Sequence, residues 1–384
     1  DSSTSRGLGD VYKRQMFRSL TLGGVVLLVC VSLVHQAMAQ TRPVTVDDVV
    51  GLESFGRASI SPDGRWAIYE KQAAYDTAPV FDYGHRTGWA ITTLWLVDLT
   101  ESRPRPKQLL PQEGQGLLRA VWSPSGSRLV IWKFTGGHLE IGVVSVPDFS
   151  VTWTGLTPDI PLAGADTTWV SDNEVALLVR PDGSLPNLLR YFGGSQTRTA
   201  GAWEETRLGR QASRTVVETR AGVANAEAPE ASLALLLLNV AQQRTSLIAR
   251  GAITDFAISP NGRRVAVVMG GEAIAVDGEA VLQAQVPRRQ RLHLVDVHGR
   301  DQPRIVTRLD VAPHLLRWSP DSERLLVWMR EDGRGWDAGG LFQVSALGVT
   351  RSYSMSGITV GSGAEVLRGV RADSVSYTHL TLPT

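Results

Sequence analysis

A ten-residue signature that recurs four times restricts the folds open to this chain more than any other feature. The copies are Ile60 to Tyr69 (ISPDGRWAIY), Trp122 to Ile131 (WSPSGSRLVI), Ile258 to Val267 (ISPNGRRVAV) and Trp318 to Val327 (WSPDSERLLV). A worn fifth copy runs from Trp169 to Leu177 (WVSDNEVAL). Each reads as the tip of a β-hairpin. Serine at the first turn position bonds forward to the backbone, proline presets φ, and Asp or Asn tolerates the third position. Glycine, in three of the four clear copies, takes the positive φ that closes the turn.

Strands flank these tips. Leu117 to Trp122, Ile253 to Ile258 and Leu315 to Trp318 precede a tip; Leu129 to Trp132, Val265 to Met269 and Leu325 to Met329 follow one. Further strands, such as Leu94 to Leu99 and Leu292 to Val297, lie downstream. Each cycle thus supplies about four short antiparallel strands, the content of one propeller blade. The fold class expected is all-β: a β-propeller of four-stranded antiparallel blades. The turn serines Ser61, Ser123, Ser171, Ser259 and Ser319 are spaced 62, 48, 88 and 60 residues apart. A blade takes roughly 40–50 residues, so the 88-residue interval is read as hiding a degenerate blade around Leu233 to Leu247. That makes about five to six blades, an incomplete ring. A sandwich or barrel is the alternative for many short strands. Helical signals are few; Val44 to Leu52 offers a turn or two.

Both ends read as foreign to the fold. Asp10 to Gln15 (DVYKRQ) and Val375 to Thr384 (VSYTHLTLPT) match translations of a transposase-type sequencing adapter and its reverse complement. Residues 1–15 and 374–384 are therefore expected to be adapter-derived, with Met16 the start and natural sequence continuing past Asp373. From Met16, Arg18 leads into the apolar run Leu20 to Val34 and then Ala37-Met38-Ala39. That order predicts a secretory signal over 16–39, cut between Ala39 and Gln40. The alternative is a membrane anchor, for which the run is short of the roughly 20 residues a bilayer needs. The expectation is a propeller over 40–373 exported to the periplasm, with no membrane attachment after cleavage.

Composition excludes several chemistries. The stretch from Gln40 to Asp373 carries 35 basic and 36 acidic residues, a balance that predicts neither nucleic acid nor an anionic membrane as partner. The single cysteine, Cys30, lies within the signal, so disulfides, a thiol nucleophile and cysteine-bound metal are not expected. His85, His138, His293, His298 and His314 show no metal-ligand spacing, and no metal or cofactor is predicted.

Thr45-Val46-Asp47-Asp48-Val49-Val50 followed by Ser61-Pro62-Asp63-Gly64-Arg65-Trp66-Ala67 resembles the amino-terminal region of the prolyl oligopeptidase family. The resemblance covers most of residues 44–370. It implies a propeller joined to a carboxy-terminal α/β-hydrolase domain with a Ser-Asp-His triad, in which the propeller gates peptide access. TolB-like propellers, which bind proteins and catalyse nothing, share the turn motif and are the second resemblance. A first blade starting about 20 residues after the signal favours the peptidase. The Gly-x-Ser-x-Gly elbow that such a hydrolase needs is missing; Ser356-Gly357 and Ser362-Gly363 are its nearest approximations. No catalytic residue is carried over, and the chain as it stands is expected to be inactive, with peptide substrate met through a hydrolase domain outside it.

The candidate contact residues lie in the segment from Tyr75 to Trp89. It is long for a blade connection and rich in aromatic and ionisable groups. Tyr83, His85, Arg86 and Trp89 are the candidates for holding peptide; the competing reading is a self-packed surface loop. Trp203-Glu204-Glu205 invites comparison with the paired glutamates of dipeptidyl peptidases, but Thr206-Arg207 departs from that motif and Arg207 is placed to neutralise a solvated pair. Trp122 and Trp318 share a blade position and are read as core.

Overall fold

The computed structural model describes residues 42–354, apart from 136, 147, 162–163, 194, 211–231, 274–287, 300–302, 314, 333–337, 346–347 and 349. The expected adapter segments, the signal sequence with Ala39 and Gln40, His314, and Ser356 and Ser362 fall outside the described residues.

Two compact units divide at Gly51–Leu52. In the first, Val46–Val50 forms one short helix (α1). Thr45 caps it: its hydroxyl accepts from the Asp48 N–H while the Asp48 carboxylate accepts from the Thr45 N–H, a capping box that satisfies two terminal donors. Arg42 pairs with the same Asp48.

Among the described residues the second unit forms five antiparallel sheets in chain order. Blade one comprises Ser54–Ile60, Trp66–Gln72, Thr92–Asp98 and Lys107–Gln108; blade two comprises Leu117–Trp122, Arg128–Thr135, His138–Ser145 and Ser150–Trp153. Blade three comprises Thr167–Ser171, Glu174–Val179, Leu233–Asn239 and Arg244–Gly251. Blade four comprises Ile253–Ile258, Arg264–Ala273, Arg288–Asp296 and Arg304–Ile305. Blade five has an interrupted inner strand, Asp310–Val311 and Arg317–Trp318, then Arg324–Arg330, Gly340–Ser345 and Thr350–Ser352.

Four apolar clusters join the blades in sequence. Ile68 and Leu94 of blade one meet Leu117 and Leu129 of blade two. Val130 and Trp132 of blade two meet Val175 and Ala234 of blade three. Leu178 and Leu235 of blade three meet Phe256 and Val267 of blade four. Val268 and Leu292 of blade four meet Val327 and Val344 of blade five. Each sheet therefore buries its faces against its chain neighbours rather than against one opposing sheet. That is the packing of a β-propeller and not of a sandwich.

The repeated tips build one end of this array. Ser61, Ser123, Ser259 and Ser319 each accept, through the hydroxyl, the N–H five residues on, at 2.8–3.2 Å. Gly64, Gly126 and Gly262 sit at φ 72°, 76° and 70°, and Ser322 occupies the same place at φ 63°. Neighbouring tips touch at all four seams. A Cβ on Gly126 would lie 3.4 Å from Pro62, Ser125 donates to Asp172, a Cβ on Gly262 would meet Val170, and Asn261 N–H donates to the Ser322 hydroxyl at 3.0 Å.

Tryptophans lock the inner strands together. Trp122 Nε1 donates to Ser59 Oγ at 3.1 Å, Trp169 Nε1 to the Val121 carbonyl at 2.9 Å, and Trp318 Nε1 to the Ala257 carbonyl at 2.9 Å. Trp169 stands two residues before its turn serine instead of one. A register shift between Glu174 and Val175 brings it opposite Val175, the position at which Trp122 faces Leu129 and Trp318 faces Leu325.

Two expectations need correction. Leu233 to Leu247 is not a separate blade: Leu233–Asn239 pairs with Glu174–Val179 in unbroken register and forms the third strand of blade three. The surplus length is an insertion between strands two and three, carrying α2 (Asn187–Gly193) and α3 (Ser195–Arg207). The sequence reading missed these helices because Ser195–Arg207 presents no apolar stripe to signal a period of 3.6. The strand expected at Leu315 to Trp318 is reduced to Arg317–Trp318, because the inner edge of blade five is interrupted after Val311.

Blade one differs from its counterparts in one respect. Its inner strand is exposed almost throughout, with Phe55 at 73% and Ile60 at 63%, whereas the inner strands of blades two and four are buried or half-buried.

Candidate functional site

Because the tips joining strands one and two gather at one end, antiparallel pairing sends every second connection to the opposite end. That end receives the links between strands two and three and those between successive blades. Chemistry-bearing side chains collect there in two places.

The first is the blade-one connection. Tyr75–Thr77 and Gly84–Ile91 form 3-10 turns, held by Thr92 Oγ1 donating to the Gly88 carbonyl at 2.7 Å. Tyr83 packs edge-on against Phe134 with ring centroids 4.8 Å apart. Tyr83 and Trp89 lie half-buried against the apolar cluster shared by blades two and three, which Leu189 of α2 also enters. The Arg86 guanidinium stacks over the Trp89 ring at 4.8 Å, and burial lowers its affinity for its proton below the ordinary arginine value. The structure thus brings Tyr83, Arg86 and Trp89 together as one half-buried cap. The His85 side chain is outside the described residues.

Beneath that cap the inner strands bulge. Glu70 accepts the N–H of Arg57 at 3.0 Å and that of Arg119 at 2.8 Å, tying blade one to blade two. Burial raises the Glu70 pKa. Arg119, at φ 61°, reaches Asp166 of the next blade and covers the Trp132 ring at 4.9 Å. Sequence reading passed over Glu70, Arg119 and Asp166. Glu70 and Arg119 sit in ordinary strands and Asp166 in the bend before one, and only inter-blade packing brings them together.

The second place is a cleft of about 660 Å³ over blade four, reached by Arg250 from blade three and Asp332 from blade five. Its walls carry Arg250, Glu272, Arg291, His293, Arg308 and Asp332, with Met269 and Ile305 as apolar lining. A ladder of alternating charge runs into it from the interior. Arg330 and Asp310, both fully buried, pair at 2.8 Å; Arg289 approaches Asp310 at 3.5 Å and Asp332 at 3.7 Å. Arg291 then contacts Asp332 at 3.1 Å and also Glu272. The Gln290 N–H completes the shell of Asp310 at 2.6 Å. Burial lowers the pKa of His293, whose Nδ1 lies 3.1 Å from the Arg291 carbonyl.

The remaining singled-out residues serve structure. Glu204 and Glu205, on α3, pair with Arg207 and Arg210 at 2.6 and 3.3 Å and are solvated, beside the exposed Trp203. His298 lies 3.7 Å from Glu174. Trp122 and Trp318 act as seam donors, in keeping with their reading as core.

No family model matches the chain, and no curated protein matches it. Solved structures do. The β-propeller domain of the Trilobed protease from Pyrococcus furiosus is 9% identical, over 79% of this chain and 71% of that one, with a TM-score of 0.41. Acylaminoacyl peptidase from Pyrococcus horikoshii is 9% identical over 80% of this chain, with a TM-score of 0.42. A putative TolB from Agrobacterium tumefaciens is 10% identical, over 78% of this chain and 80% of that one, with a TM-score of 0.35. Both kinds of protein that the sequence resembles, peptidase and TolB-like, are among these neighbours. The chain spans only 40% of the acylaminoacyl peptidase. At such identities the likeness concerns the fold.

Proposed function

We propose that this chain is the non-catalytic, access-restricting propeller of an exported serine peptidase of the prolyl oligopeptidase type. The observation that carries the reading is the asymmetry between the two ends. One end is closed by touching hairpin tips, whereas the other gathers the Tyr83–Arg86–Trp89 cap, the Arg57–Glu70–Arg119–Asp166 bulges and the charged cleft. A gate needs such a face, polar and irregular, set on rigid sheets. The resemblance of Thr45 to Val50 and Ser61 to Ala67 supports the same reading. The hydrolysis itself, acyl transfer to a serine activated by histidine beside an oxyanion hole, belongs to a further domain. Signal cleavage before Gln40 places the protein in the periplasm, with peptides as its substrates.

The test is the coding sequence beyond Asp373 and the protein it encodes. A Gly-x-Ser-x-Gly elbow followed by Asp and then His is expected, and the longer protein should cleave short peptides while sparing folded ones. Residues 40–373 alone should hydrolyse nothing. A stop after one or two more blades would instead select the second reading, a TolB-like protein-binding propeller.

A further inference from the structure

We propose that the cleft over blade four is a binding site for a peptide bearing a free carboxylate. The proposal rests on reading this end as the one that receives peptide, and it names the feature of the peptide that is recognised.

Three observations lead there. The first is charge. Arg250, Arg291 and Arg308 line the cleft with two carboxylates, Glu272 and Asp332, and with the buried His293. Arg291 satisfies both carboxylates. Arg250 and Arg308 are exposed, and no ion pair is found for either among the described residues. The cleft therefore carries one positive charge in excess, and the guanidiniums outside the Arg291 network are the two at its rim, groups suited to binding a carboxylate through paired N–H donors.

The second observation is the floor. Gly251, at φ 151°, lies where a Cβ would come within 3.3 Å of Met269 Sδ, and a Cβ on Gly271 would meet Arg291 Cγ at 2.8 Å. Glycine at these two positions lets the Met269 and Arg291 side chains pack directly against backbone and so form the wall of the cleft. At about 660 Å³ the space is within the range of small-ligand sites. Met269, Ala252 and Ile305 provide apolar wall beside the arginines, a combination that suits the last residues of a peptide better than a bare inorganic anion.

The third observation is rigidity. Arg291 is fixed by the ladder that begins at the fully buried Arg330–Asp310 pair, and its guanidinium also donates to the Arg308 carbonyl. The Arg308 backbone is thereby anchored to the interior, so its side chain projects from a set position and less ordering is required on binding.

The experiment is fluorescence anisotropy on the full chain with three amino-terminally labelled tetrapeptides. One, Gly-Ala-Ala-Phe, has a free terminal carboxylate; the second is its terminal amide; the third is the amide with glutamate replacing the third residue. The free acid should bind at least about tenfold more tightly than the amide, and higher salt should weaken it. The Arg250→Ala/Arg308→Ala chain should lose that difference while keeping the same urea midpoint, since both side chains are exposed. Binding of the glutamate amide but not the free acid would assign the site to acidic side chains, still a carboxylate. Equal affinity for acid and amide would overturn the proposal while leaving the gating reading intact. Failure of all three peptides to bind, or a preference that survives the double substitution, would overturn it too. A missing hydrolase elbow downstream would remove the gating reading without affecting these arms.

Discussion

Replacing Trp318 by phenylalanine tests whether the seams are held by the indole donors or by apolar contact alone. The change keeps an aromatic ring but removes Nε1, which donates to the Ala257 carbonyl of blade four at 2.9 Å. A hydrogen bond of this kind contributes about 1 kcal/mol net. The smaller ring leaves a shallow void beside Leu316 and Leu325, adding about 0.5–1 kcal/mol. The expected loss is therefore about 2 kcal/mol. Trp169→Phe removes the corresponding bond to the Val121 carbonyl and should cost as much. Trp122→Phe gives up a bond to the Ser59 hydroxyl, which can turn to another partner, and should cost about 1 kcal/mol. Trp122 and Trp169 both act through the strand Leu117–Trp122, so their effects should couple, whereas Trp318, on another seam, should add independently. The assay is urea unfolding followed by far-ultraviolet circular dichroism, with Trp203→Phe as control. Trp203 is 72% exposed on α3, and its replacement should change stability by less than about 0.5 kcal/mol. If Trp318→Phe proves no more costly than this control, hydrogen bonding across the seams is not what holds successive blades.

Other consequences can be measured in the same way. Ser322 takes the left-handed conformation that glycine takes in the other tips, yet its hydroxyl accepts the Asn261 N–H. Both Ser322→Ala and Ser322→Gly lose that bond, but only alanine keeps the strain, so Ser322→Ala should be the less stable of the two by about 1 kcal/mol in urea unfolding. The Ser319 hydroxyl and the Glu323 N–H hold the Asp321 pKa at about 2, and the Ser61 hydroxyl and Arg65 N–H lower that of Asp63. Both are depressed in the folded state, so their contribution is complete above the unfolded value of about 3.9 and disappears as pH falls toward 2. Unfolding midpoints should therefore drop between pH 4 and pH 2, and less so in Asp321→Asn. On blade one, Phe55→Ser and Ile60→Ser should together cost less than about 1 kcal/mol, because both side chains are already largely exposed. They should also reduce self-association in sedimentation velocity, since Phe55 and Ile60 stand on an open blade face. A loss above about 2 kcal/mol would mean that this face is covered in solution.

The amino-acid sequence by itself determined the hairpin. Ser-Pro-x-Gly fixes φ at proline, offers the left-handed position to glycine and supplies a hydroxyl for the N–H five residues on. All of these act within six residues, and all are found as read. The apolar strands after each tip follow from equally local alternation, and a propeller follows from their repetition. Tertiary structure decided what separates in sequence and meets in space. Leu233–Asn239 looks like a new blade when read alone, because nothing in its composition records that its partner, Glu174–Val179, lies across an insertion of more than 50 residues. The register shift that brings Trp169 into line with Trp122 and Trp318 is likewise a property of pairing. The candidate site was legible only in part. Tyr83, Arg86 and Trp89 were conspicuous as aromatic and ionisable groups crowded into one connection. Arg119, Asp166 and the charge ladder from Arg330 to Glu272 were not, since each residue in the ladder gains meaning only from charges that neighbouring strands and blades place beside it. Electrostatic partnership depends on distance in space, and the fold alone sets that distance.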